Sequence, residues 1–85
     1  MQTFTYTITD ELGIHARPAG MLCKAAGKFP CKVTIGTAAK TVDAKRIMGV
    51  MGLCVKHGDT VTIACDGPQE AEAAGALEQF FKDTL

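Results

Sequence analysis

Six residues near the start of the chain, Thr3-Phe4-Thr5-Tyr6-Thr7-Ile8, alternate without a break between threonine and a larger apolar or aromatic side chain. Successive side chains of a strand point to opposite faces. The segment therefore predicts a half-buried strand, with Phe4, Tyr6 and Ile8 on the covered face and three threonines on the wet one. The pattern returns at Thr60-Val61-Thr62-Ile63-Ala64-Cys65, after a Gly58-Asp59 turn. Between the two, Cys31-Lys32-Val33-Thr34-Ile35 alternates, Gly36-Thr37-Ala38 reads as a turn, and Lys40-Thr41-Val42 can return as a short antiparallel strand.

Helical spacing fills the intervals. Ala19, Leu22, Cys23 and Ala26 recur at i, i+3, i+4 and i+7. Pro18 suits a first helical turn, and Gly27 with Pro30 supplies the stop, which predicts a helix over 16–27. Ile47, Val50, Met51 and Cys54 are spaced as one helical face, although Gly49 and Gly52 each weaken it by about 1 kcal/mol relative to Ala. Asp66-Gly67-Pro68 opens a last helix. Glu70 and Glu72 complement its positive end as surface charges, and Leu77, Phe81 and Leu85 lie on its buried side. The order is βαββαβα. Four strands and three helices share one core only if the helices cover one face of a mostly antiparallel sheet, an α+β class.

With 85 residues, the chain is expected to form one domain, 1–85, burying about 60–65% of its unfolded surface, so its chemistry belongs in a shallow surface site. Nine basic residues balance nine acidic ones, which leaves no overall electrostatic footprint for nucleic acid or an anionic membrane. There is no Ser, Asn or Trp, so serine nucleophiles and phosphoserine switches are excluded. Cys23, Cys31, Cys54 and Cys65 form no CxxC pair and sit in apolar runs, so they are expected to be reduced core thiols. Neither a signal-peptide pattern at the N-terminus nor an apolar run of about 18 residues is present. The expected compartment is the cytoplasm, with no membrane insertion.

Chemistry concentrates at Gly13-Ile14-His15-Ala16-Arg17-Pro18-Ala19. An imidazole stands immediately before the first helical residue, where the unpaired N–H groups of Ala16 and Arg17 and the helix dipole favour an anion. The Arg17 guanidinium can add charge-assisted hydrogen bonds. Spacing alone also allows His15 to be no more than an unusual cap and Arg17 a solvated charge.

That motif, the Lys45-Arg46-Ile47-Met48-Gly49-Val50-Met51 block and the element order together resemble the HPr family, the histidine-containing phosphocarriers of the bacterial phosphoenolpyruvate:sugar phosphotransferase system. The resemblance runs over essentially the whole chain. It implies an open-faced sandwich with three helices on one side of a four-stranded sheet, and no metal or organic cofactor. It implies that His15 accepts a phosphoryl group from phospho-enzyme I and passes it to the IIA domains of sugar permeases. The chain is then a substrate of phosphotransferases rather than an enzyme. Arg17 would steady the phosphate, the Ala16 N–H would donate to it, and Pro18 would fix the helix start. Docking would map to Gly20, Lys24, Ile47, Met48 and Met51. Since Ile47 and Met51 also fit the core period, Met48 is the most favoured of these for exposure and docking. The protein would act as a monomer, and transcriptional regulators stay open as further partners. Many relatives carry a regulatory Ser where Arg46 stands here, so that switch is not expected to operate.

Other candidates are weaker. His57 reads as an exposed turn residue and Asp43 as the cap of the middle helix. Lys24, Lys28, Lys40, Lys45, Arg46 and Lys56 could gather around His15 as a positive rim. Two competing readings are a purely regulatory module of the same fold, which would have no need of His15, and a metal site using His15, His57 and the cysteines, which core-facing thiols would not permit.

Overall fold

The computed structural model describes residues 1–85. The elements follow the expected order: β1 (Gln2–Thr7), α1 (Ala16–Gly27), β2 (Lys32–Gly36), β3 (Thr41–Asp43), α2 (Ile47–Gly52), β4 (Thr60–Asp66) and α3 (Glu70–Thr84). The sheet runs β1-β4-β2-β3, antiparallel at every pairing. Register follows from the two-residue period, because a slip of one residue would turn every apolar side chain to water. Phe4 pairs with Ile63, Ile63 with Ile35 and Ile35 with Val42, one apolar row crossing all four strands. On the other face Thr5 pairs with Thr62, and the hydroxyls of Thr7 and Thr60 lie 3.0 Å apart. The three helices cover the apolar face, as an open sandwich requires.

Each helix buries a stripe. α1 contributes Pro18, Ala19, Leu22 and Ala26, and α3 contributes Ala73, Leu77 and Phe81, with Leu85 just beyond its end. Phe81 is fully buried, with ring centroids 6.0 Å from Phe4, 5.6 Å from Tyr6 and 5.7 Å from Phe80. Such pairs add about 0.5–1.5 kcal/mol each beyond burial. The pairs with Phe4 and Tyr6 fasten α3 to the edge strand β1.

The sequence reading of the middle helix needs correction. α2 is only six residues long and buries Val50 alone, while Ile47 and Met51 are 41% and 39% exposed. One and a half turns lying against α1 and β3 present a single position to the core, so the apparent apolar period is surface. Cys54 is exposed because α2 has already ended; its backbone is left-handed, at φ 54°, and points the thiol away from the helical face. All four thiols are free, but only Cys31 and Cys65 are core residues, Cys23 being half-buried. Burial pushes the Cys65 thiol up to about 11, with Cys31 beside it adding to the rise. Asp43 does not cap α2. It ends β3, where its Oδ1 accepts the Lys45 N–H at 2.9 Å, and Arg46 occupies the cap position with no side-chain capping bond. Nor is Glu70 only a dipole-compensating surface charge. It accepts the Gly67 N–H at 3.2 Å and pairs with the Met1 amine at 2.7 Å.

Candidate functional site

The segment between β1 and α1 is fastened at four points. Thr9 N–H, Thr9 Oγ1 and Asp10 N–H all donate to the Leu85 carbonyl oxygen, at 2.7, 2.7 and 2.9 Å. Asp10 Oδ1 then accepts the Leu12 N–H at 2.8 Å, and the Asp10 carbonyl accepts the Gly13 N–H at 3.0 Å, closing a tight turn. Gly13 takes φ 67°, and Ile14, buried, donates its N–H to the Val55 carbonyl at 3.1 Å. His15 therefore emerges from a loop whose backbone is fixed on both sides.

His15 is the residue immediately before α1, with extended backbone at φ −94° and ψ −173°. Its carbonyl accepts the Ala19 N–H at 2.9 Å, while its imidazole makes no capping bond. The side chain is thus uncommitted. Pro18, buried in the first turn, has no N–H to offer, so the open donors at this helix start belong to Ala16 and Arg17, both exposed. No acidic side chain occupies the first turn. His15, Arg17, Pro18 and Met21 line a shallow cleft of about 330 Å³ together with Asp10, Asp83 and Thr84. A nucleophilic ring nitrogen, backbone donors and a guanidinium share this cleft, an arrangement suited to receiving an anionic group on the ring.

The expected partner residues lie on the adjacent surface. Met48 is 79% exposed, and Ile47 and Met51, whose spacing also fits the core period, are exposed with it at 41% and 39%. A Cβ placed on Gly20 would lie 3.6 Å from the Ile47 side chain, so α1 and α2 meet there. Lys24, exposed, is one turn further along α1. Met21, 44% exposed, lines the cleft and follows Gly20 on α1. Sequence reasoning passed over Met21, although its i+4 spacing from Arg17 was available as a signal. Asp83 and Thr84 gave no local signal, since only the docking of α3 brings them here. None of the six cations expected as a positive rim lines the cleft, and Lys45 donates to the Phe29 carbonyl at 2.7 Å beyond the opposite end of α1. His57 is exposed in its turn, and no three His, Cys, Asp or Glu side chains converge as a metal site would require. No helix is long and apolar enough to cross a membrane.

Residues 2–83 match the family described as the phosphorylation site of the HPr component of the phosphotransferase system. The chain is 42% identical over 84 residues to the phosphocarrier protein HPr of Mycoplasma capricolum, covering 99% of this chain and 94% of that one. It is 48% identical over 71 residues to that of Cupriavidus necator, covering 84% and 80%. Among solved structures, a mycoplasma histidine-containing phosphocarrier protein superposes with a TM-score of 0.94 at 41% identity, covering 98% of this chain and 94% of that one. Crh of Bacillus subtilis, a swapped dimer, superposes with a TM-score of 0.78 at 32% identity, covering 94% and 92%.

Proposed function

The chain belongs to the HPr family, the phosphocarriers of the phosphotransferase system, and we propose that His15 is its phosphoacceptor, loaded by phospho-enzyme I and unloaded by the IIA domains of sugar permeases. A ring nitrogen of His15 attacks phosphorus, the bond from phosphorus to the donor breaks, and its electron pair stays with enzyme I. In the second transfer the N–P bond of His15 breaks as the IIA nucleophile attacks, and the imidazole leaves with the pair. The chain carries the group and catalyses nothing by itself. Arg17 and the N–H groups of Ala16 and Arg17 offset charge on the arriving phosphoryl, and Pro18 fixes the helix start through its locked φ. Gly20, Lys24, Ile47, Met48 and Met51, joined by Met21, receive both partners, an adaptable methionine-rich surface suited to more than one occupant. The protein works in the cytoplasm as a monomer.

The observation that carries this reading is the uncommitted imidazole standing at the start of α1 beside open amides and Arg17. Incubation with phosphoenolpyruvate and enzyme I adds one phosphoryl group, labile in acid and stable in base. His15→Ala abolishes acceptance, while Arg17→Ala keeps acceptance but slows it. Wild-type transfer by the His15 variant would sink the assignment, and sedimentation of the phosphorylated and free forms checks the monomer.

A further inference from the structure

The cleft beside His15 carries both signs of charge. The positive start of α1 with the Arg17 guanidinium lines it, and so do the negative end of α3, where Asp83 and Thr84 lie, and Asp10. Two carboxylates thus share with one cation a cleft that is to hold a group bearing about two negative charges.

Neither carboxylate is neutralised. The fold's ion pairs lie elsewhere, between the Met1 amine and Glu70 and between Arg46 and Asp43. Each carboxylate is nevertheless held by a neutral donor, Asp10 by the Leu12 N–H at 2.8 Å and Asp83 by the Gln79 amide at 2.9 Å. Arg17 is left free for the phosphoryl group, and each carboxylate keeps its charge in the cleft.

We propose that Asp10 and Asp83 form a repulsive wall that raises the free energy of phosphorylated His15, so that the group is passed on rather than retained. The proposal rests on His15 being the phosphoacceptor. Arg17 and the open amides favour arrival, and the acidic wall limits how firmly the group is then held. For a carrier this is useful, since any stabilisation peculiar to the loaded form must be given back on delivery. The same wall disfavours occupation of the cleft by free phosphate.

The test is a partition between two versions of the protein. Isotope-labelled wild type and an Asp10→Asn/Asp83→Asn variant are mixed with a trace of enzyme I as exchanger and a limiting amount of phosphoenolpyruvate, and phosphorylation of each is read by mass spectrometry. Docking affinities cancel at equilibrium, so the ratio reports only the stability of the loaded forms. The amide substitutions keep the oxygens that accept from Leu12 and Gln79, and urea midpoints check that both proteins fold alike. The expected result is a preference for the variant of about threefold to tenfold near 20 mM salt, contracting towards even partition near 0.5 M as the charges are screened. Asp83→Asn alone moves the ratio in the same direction by a smaller factor. Even partition at low salt, or a preference that salt does not change, overturns the proposal. If the wild type takes up no phosphoryl group on His15, the carrier reading itself falls, and that is seen before any ratio is measured.

Discussion

At Gly13 an added Cβ would lie 2.2 Å from the Val55 carbonyl oxygen and 2.6 Å from Lys56 Cα, with φ at 67°. Both neighbours are backbone, so neither can give way cheaply. Gly13→Ala is expected to cost about 2 kcal/mol or more and to slow phosphoryl acceptance as well, since the next bond, Ile14 to Val55, orients His15. Urea denaturation and a transfer assay check the two effects, and a neutral substitution would show that the loop tolerates rearrangement. Arg46 poses the opposite case, a side chain with little holding it. It is 82% exposed and its Nε lies 3.7 Å from Asp43 Oδ2, a pair worth at most about 1 kcal/mol at such exposure. With no serine anywhere in the chain, HPr kinase and ATP are expected to leave the protein unmodified, and Arg46→Ser to create a modifiable hydroxyl. Stoichiometric ATP-dependent phosphorylation of the wild type, mapped by mass spectrometry, would refute this. At this scale the sequence was most legible where structure is local, as in the placement of His15, Ala16, Arg17 and Pro18 at a helix start.

Among the elements, α2 shows what a short helix can and cannot bury. Its one core residue, Val50, anchors it, and the Gly20 contact with Ile47 sets it against α1. Met48, Ile47 and Met51 are left facing outward. Met48→Asp is therefore expected to leave folding within about 0.5 kcal/mol of wild type while raising the KM of enzyme I and of IIA domains by tenfold or more, about 1.4 kcal/mol. Unchanged KM for both partners would move the interface elsewhere. The long alternations of β1 and β4 and the period of α1 made their faces readable in advance, because each element is long enough for its period to repeat. In α2 it repeats less than twice, so an apolar residue facing core and one facing solvent look alike, and the spacing left Ile47 and Met51 undecided for that reason. Asp43 was misread on similar grounds: β3 is a strand of only three residues, and its end lies where a cap was expected.

Across the whole molecule, the two ends of the chain are tied into the same architecture. The Met1 amine and Glu70 join the start of β1 to the start of α3. Hydrogen bonding to the amine, and then to the Gly67 N–H, holds the Glu70 carboxyl below the usual range, and the same carboxyl pushes the amine upward. Glu70's contribution is present above about pH 4.3 and disappears as pH falls through its lowered value. The amine's is present below about pH 8 and disappears as pH rises through its raised value. The difference in urea midpoint between wild type and Glu70→Gln is thus expected to be flat between those limits and to shrink on both sides, and a pH-independent difference would assign Glu70 a purely packing role. These long-range ties were invisible in the sequence because no local pattern marks a terminus as a partner, and the acidic side of the cleft was missed for the same reason. At the other end, the Thr9 hydroxyl and the Leu85 carbonyl meet across a separation of 76 residues. That closure has a consequence in time. Closing so long a stretch of chain costs loop entropy, so this contact is expected to form after β1 has found β4 and α3 has settled on both. The bonds at Leu12, Gly13 and Ile14 can form without residue 85, whereas those of Thr9 and Asp10 cannot. A folding chain can therefore hold much of its sheet while the seat behind His15 is still only partly fastened.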